Sequence, residues 1–521
     1  MTDRAVSDIS ASSRIARASP TVALVRQYGL PLSVLALAII LRAFAGTCAN
    51  VSWLLTIGDK VLAGATPYVD VVEVNPPISI LMYLPAVLIG RALRIPPETV
   101  VTSLVILATL ASLALVSRIL AAAGSSAAAS APLSLALALF VLLIFPVYAF
   151  GERDHIAAIA VLPMLAACAA RVRGARVGLI SAVLAGLGGG IAIAIKPFFV
   201  FALALPLAYA AARSRRGLRG FVSGLFTVEA VTAGGVALAY AASIIIFFPA
   251  FLRVMLPLAT EIYLPNRLPL TELLGNPSSC LFAIILVISL VLDRKRPVAP
   301  MTRVLKLAAC GFMIAFLIQD KGSPYQGYPA VALALLACGR SIADGIAGWS
   351  QGERRAAAVI RPALAAGVLV IVAGIAMMWL QVNHETAGLV EAARRVAPPN
   401  PKVIVIGDRL GLGHPLTREL GGRWVGRQCS LWITDYAETL LQDEPPDAGR
   451  RSRIESYVKF DYDMLREDII ANRPDLILVE NDRWREWIVQ HDELARLLQS
   501  YREADRLEGV SILLRKADSP A

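Results

Sequence analysis

The residues best equipped for chemistry lie in four short clusters, each where an apolar run ends. Asp59, Tyr68, Asp70, Glu73 and Asn75 precede the pair Pro76 and Pro77; Glu152, Arg153, Asp154 and His155 are consecutive; Lys196 stands before Pro197; and Asp320 and Lys321 precede Gly322, Ser323, Pro324 and Tyr325. A carboxylate can take the proton of an acceptor hydroxyl, while a cation can hold a phosphate as it leaves an anomeric carbon. Asp59, Asp70 and Glu73 are candidates for the first task, with Asp70 and Glu73 ranked above Asp59 because they sit in the Pro-bounded motif. Arg153, Lys196 and Lys321 are candidates for the second, Arg through two hydrogen bonds and Lys as a point charge. Together they are the equipment of glycosyl transfer from a phosphate-linked donor, with Tyr68, Asn75, Glu152, Asp154, His155 and Tyr325 as further substrate-binding candidates. Asp70 or Glu73 would also suit a divalent cation carried with the phosphate, although no spacing establishes a metal site. His155 is a single histidine, open equally to acid/base or metal work and to a structural hydrogen bond. Boundary charges with no task are the competing reading for any one residue. Four dense clusters weigh against it, because ionisable groups near apolar helix ends are costly unless paired or solvated.

Positioning these clusters falls to a membrane bundle. Of the residues, 57% are hydrophobic and 17% charged, against about 45–50% and 25% in soluble domains, and the mean hydropathy is +0.64. Apolar runs near 30–48, 99–119, 131–149, 156–170, 177–195, 197–211, 221–247, 277–292, 304–318, 327–343 and 362–381 predict about eleven spans. The run at 78–90 is too short to cross and follows two prolines, so it reads as an interfacial or re-entrant helix. With residues 1–29 as a cytoplasmic tail, the inner segments collect 21 basic residues and the outer loops 8, which is the expected bias. That orientation puts all four clusters on the outer face, joined by Glu261, Tyr263, Asn266 and Arg267. Arg42, inside the first span, is expected to snorkel outward or pair with an acid. The first apolar run lacks a small-residue cleavage site and reads as a retained span.

The net charge of +11 would fit a nucleic-acid partner, but the arginines lie in short loops between apolar runs and serve orientation instead. Six cysteines without paired spacing give neither a disulfide framework nor a zinc site. Near His384 the composition turns charged, so residues 30–383 form the membrane domain, with a large outer loop at 49–98, and 384–521 a soluble α/β domain. Its strands are expected at Lys402–Ile406, Leu476–Val479 and 510–514, with helices at 437–442 and 492–501. Gly411 and Gly413 lack the third glycine of a dinucleotide fingerprint, so a plain turn outweighs a nucleotide site.

These motifs resemble the integral-membrane GT-C glycosyltransferases, particularly protein O-mannosyltransferases and lipid A aminoarabinose transferases. The likeness rests on the first span and its outer loop with Tyr68, Asp70, Glu73 and Asn75, on Glu152 to His155, and on Asp320 to Tyr325, and it covers roughly residues 30–345. It implies a polyprenyl-phosphate sugar donor, a lipid, glycan or protein acceptor, and inversion at the anomeric carbon, while the charge bias puts the active site and C-terminal domain outside the membrane and the alanine- and arginine-rich composition suits a bacterial inner membrane. The family's aspartate after the first span falls by spacing on Asn50, which cannot act as a base. A transporter or flippase of a lipid-linked glycan is the alternative, disfavoured because no internal repeat is visible and the charges gather at helix ends.

Overall fold

The computed structural model describes residues 20–124, 131–214, 217–294, 296–350, 356–382, 386–443 and 447–516. Most of the expected tail, the expected boundary at His384 and several of the loop arginines lie outside the described residues. Every apolar window predicted to span overlaps a helix. Among the described residues, five helices are long and apolar enough to cross a membrane, Pro97–Ala122, Arg153–Val172, Val228–Phe247, Pro300–Gln319 and Pro362–Leu380. Residues 28–44 and 49–62 make a sixth if their pair, bent by 68°, counts as one span. The remaining windows fall on shorter apolar helices or on Pro324–Ser350.

The elements that build the site come early in the chain: α1 (Pro20–Phe44), α2 (Ala49–Leu62), α3 (Ile78–Leu81), α4 (Leu84–Leu93), α5 (Pro97–Ala122), α6 (Ala131–Leu139), α7 (Arg153–Val172) and α8 (Leu179–Ile195). Proline opens many of the bundle helices, among them α5 and those beginning at Pro277, Pro300 and Pro324. There its missing N–H costs nothing, because the first turn has no partner for it. The run expected to stay interfacial is the pair α3 and α4, each too short to cross. Among the described residues Arg42 pairs with no acid. Its guanidinium donates to the carbonyl oxygens of Leu143 at 3.1 Å and Val147 at 2.9 Å and lies over the Phe150 ring, using carbonyls around the π-helical turn Phe140–Ile144. Between lipid-embedded helices there is no hydrophobic driving force, so close backbone approach takes its place. On α8, a Cβ at Gly186 would come within 2.5 Å of the Glu229 carbonyl oxygen.

After the bundle, five strands, β1 (Lys402–Ile406), β2 (Arg423–Trp424), β3 (Leu476–Val479), β4 (Tyr501–Leu507) and β5 (Val510–Arg515), form one sheet in the order β2-β1-β3-β5-β4. The first three are parallel, and β5 and β4 join antiparallel. Past the exposed Lys402 that opens β1, β1 and β3 are runs of valine, isoleucine and leucine buried on both faces, as strands covered by helices must be. The expected helix at 492–501 is shorter: it stops at Leu498, and Tyr501 begins β4. The long helix Ala448–Asn472 was not anticipated, because charged residues break its apolar periodicity.

Candidate active site

The N-terminal end of α7 is built by one turn. Gly151 has φ +80°, a left-handed conformation that favours glycine. The Tyr83 hydroxyl donates to its carbonyl oxygen at 2.7 Å, and its N–H donates to His155 Nδ1 at 3.0 Å. With Nδ1 accepting, His155 Nε2 carries the hydrogen and donates to the Leu142 carbonyl oxygen at 2.7 Å. Both ring nitrogens are spent on the turn, so His155 is a clasp and neither a metal ligand nor a proton carrier. The turn leaves Glu152 and Arg153 buried at the start of the helix, where the dipole favours negative charge on a ligand.

Arg153 lines a cavity of about 200 Å³ with Glu73, Asn75, Trp53 and Tyr325. Its Nη1 donates to Ser79 Oγ at 3.0 Å, while its buried Nε has no partner among the described residues. Glu73 is held from two sides: Trp53 Nε1 donates to Oε2 at 2.6 Å, and the Asn75 backbone N–H donates to Oε1 at 2.9 Å, joined there by the Asn75 side-chain amide. Three N–H donors make this carboxylate an acceptor fixed in place. A second pocket of about 100 Å³, lined by Glu152, Tyr148 and Ser323, shares Asn50, Tyr325 and Leu410 with the first.

Several expected site residues stand elsewhere. Asp70 is exposed, and its Oδ2 accepts from the Thr66 N–H at 2.8 Å, closing a turn. Asp59 pairs with Arg91 at 2.9 Å and Arg418 at 2.7 Å. Both line a separate polar cleft of about 570 Å³, and neither reaches the cavity. A carboxylate in the same loop but nearer water caps turns and pairs with arginine, which spacing alone does not reveal. Lys196 and Asp154 form an ion pair, Nζ lying 2.9 Å from both oxygens, beneath the Tyr325 ring. The pair supports that ring without lining the cavity. Lys321 donates to the carbonyl oxygens of Tyr263, at 2.7 Å, and Asn266, so it clasps the loop between them; burial pushes its ammonium down to about 8, with Asp320 opposing the shift. Tyr68 donates to the Asn75 carbonyl oxygen at 2.9 Å and packs on Phe251, positioning the Glu73 loop. Among the described residues no three His, Cys, Asp or Glu side chains gather into a metal-holding group, and the donors on Glu73 and Asp70 show carboxylates already engaged. The divalent cation therefore finds no fitting donor set, and no step is routed through one.

The far wall comes from the α/β domain: Asp408, Leu410, Cys429, Ser430, Trp432 and Tyr436. Burial, with the Glu73 charge behind it, pushes the Cys429 thiol up to about 12, which removes it as a nucleophile. No signal in the sequence singled these residues out. The domain is seated by the Val72 N–H on the Arg427 carbonyl oxygen at 2.8 Å, by His414 between Trp53 and Trp424 at 5.1 and 4.6 Å, by Arg418 on Asp59 and Glu98, and by Asn266 on the Tyr436 carbonyl oxygen at 3.1 Å.

This arrangement, a helical bundle with its charged rim under an α/β cap, matches solved structures along nearly its whole length. ArnT from Cupriavidus metallidurans, bound to undecaprenyl phosphate, superposes with a TM-score of 0.55 at 12% identity, covering 95% of this chain and 99% of that one. The fold is that of ArnT. The same protein in the apo state matches to the same degree. The fold expected from the GT-C resemblance is thus present, and the ArnT-like architecture extends past residue 345 through the α/β domain. No family model and no curated protein sequence matches the chain.

Proposed function

We propose that the protein is a membrane glycosyltransferase that moves a sugar from a polyprenyl-phosphate donor to a cell-envelope acceptor on the extracytoplasmic face. The observation that carries this reading is Arg153: a buried guanidinium at a helix N-terminus, its Nε without a partner among the described residues, on the wall of a cavity that also holds a fixed carboxylate. In such a site the donor phosphate docks on Arg153 as two negative charges build up on the leaving polyprenyl phosphate. Glu73 stands in the same cavity, where positive charge develops on the anomeric carbon, and Trp53 and Asn75 keep it from rotating away. Preorganised charges of this kind in a water-poor pocket are the largest single contribution to many transfer reactions.

Three further facts support the reading. The ArnT-like fold was solved with undecaprenyl phosphate, the chemistry of the proposed donor. The cavity lies at helix ends beneath a cap rather than at a midplane between repeats, which favours transfer over transport. The basic residues concentrate in the loops opposite the site, which favours an outward-facing active site and α/β domain in a bacterial inner membrane. The test is transfer of labelled sugar from a panel of polyprenyl-phosphate sugars by purified protein in lipid. Wild type transfers from at least one donor and Arg153→Ala loses about 100-fold or more; a wild type inert with every donor overturns the reading.

A further inference from the structure

We infer that Glu152 is the general base of the reaction and that the pocket beside it seats a neutral hydroxyl acceptor; the inference rests on the glycosyl-transfer reading. Glu152 Oε1 accepts from Asn50 Nδ2 at 2.8 Å and from Cys48 Sγ at 3.2 Å. Oε2 is buried and has no partner among the described residues. The Tyr148 hydroxyl, on the same pocket, is buried and unpartnered too. Two orphaned polar atoms on residues that line one small pocket require an explanation, and an acceptor hydroxyl that enters between them, donating to one and accepting from the other, would supply it.

The other acids of the clusters are spent. Glu73 is held by three donors, Asp154 by Lys196, Asp59 by two arginines, Asp70 by a turn and Asp320 by Arg267 at 3.4 Å. Asn50 acquires a function in this arrangement: its amide donates to one oxygen of Glu152, leaving the other as the acceptor. The position where the resemblance expects an aspartate therefore orients the base instead of being it, and the carboxylate has moved across one hydrogen bond.

Glu152 and Arg153 are consecutive, yet they line the two different pockets that meet at Asn50 and Tyr325. Donor phosphate on one side and acceptor on the other is the arrangement an in-line displacement needs. The acceptor oxygen forms a bond to the anomeric carbon as the bond from that carbon to the phosphate oxygen breaks. The electron pair leaves with the phosphate beside Arg153, the hydroxyl proton passes to Glu152 Oε2, and Glu152 later gives it to water. Among the described residues the pocket has no Lys or Arg in its lining, and it has a carboxylate. A phosphate acceptor, already ionised, needs no base and is repelled there, whereas a neutral sugar or lipid hydroxyl needs the base and fits.

The experiment compares wild type, Glu152→Gln and the double variant N50D/E152Q in lipid, using a polyprenyl-phosphate sugar that wild type transfers. The acceptors are a neutral alkyl glycoside and the same glycoside carrying a phosphate monoester. Donor binding is measured alongside turnover. The expected result is a kcat loss of about 100-fold or more in Glu152→Gln with donor affinity kept within about twofold, and recovery of about tenfold when N50D restores a carboxylate across the hydrogen bond. Transfer goes to the hydroxyl acceptor in preference to the phosphorylated one. Glu152→Gln turning over within about threefold of wild type, or a preference for the phosphate acceptor, overturns the assignment while leaving the glycosyl-transfer reading intact. A wild type inert with every donor overturns both.

Discussion

The bundle presents Glu73 and Arg153 to one pocket and Glu152 to the adjoining one, and Arg153 and Glu152 each have a polar atom left open among the described residues, whereas the α/β domain's side of the first pocket presents Ser430, Cys429, Trp432 and Tyr436. The domain's own charges near the wall are paired inside it: Asp408 accepts from Trp484 Nε1 at 2.7 Å, Glu480 pairs with Arg409, and Arg483 with Asp435 and Glu438. Open charges on one wall and aromatic surface on the other divide the labour. The start of α7 carries Glu152 and Arg153, and the loop that bears Glu73 is pinned by Trp53 and Tyr68, so both hold their geometry. The cap supplies apolar shape against which a sugar ring can lie, and it covers the site from water.

That division can be broken in order of expected effect. Glu73→Gln keeps the size of the side chain but removes the charge, so kcat falls about 100-fold. Asp70→Asn, in the same loop but outside the cavity, changes turnover by less than about twofold. Equal losses in the two variants would erase the distinction between the acid in the cavity and the acid in the turn. On the domain wall, Trp432→Ala and Tyr436→Ala raise the acceptor KM about tenfold with a smaller change in kcat. A pure kcat loss there would make the cap part of the chemistry.

The smallest effect concerns the seam. Burial holds the His414 imidazole near 3, helped by the positive charges of Arg418 and Lys60, where 6.5 is ordinary. The folded state therefore keeps His414 neutral while the unfolded chain binds a proton below 6.5. Stability is fully present above that pH and falls as pH drops toward 3, by at most about 1.4 kcal/mol per pH unit from this group. His414→Phe flattens the fall in unfolding temperature between pH 7 and 5. An unchanged slope would remove His414 from the account of the seam.

The bundle and the strands β1, β3 and β5 were legible because apolar length and β-branched runs report burial directly. Glu152 and Arg153 were legible as charges stranded at a helix end, and Glu73 as an acid in a Pro-bounded loop. What spacing did not separate was Glu73 from Asp70, three residues apart in one loop, since a turn decides which faces the cavity. Nor did it reveal Trp432 or Tyr436, brought to the site by a domain interface more than 350 residues from Trp53. Glu152 was legible as a substrate-binding candidate. Its open oxygen appears only once Asn50 is seen to occupy the other.

The most direct test of the account is equilibrium binding of undecaprenyl phosphate to the purified protein in lipid, comparing wild type with Arg153→Ala and Glu152→Gln. The account predicts saturable binding to wild type, a loss of affinity of about tenfold or more in Arg153→Ala, and near-wild-type affinity in Glu152→Gln. Undiminished binding to Arg153→Ala would contradict it, because the phosphate would then rest on some other part of the molecule.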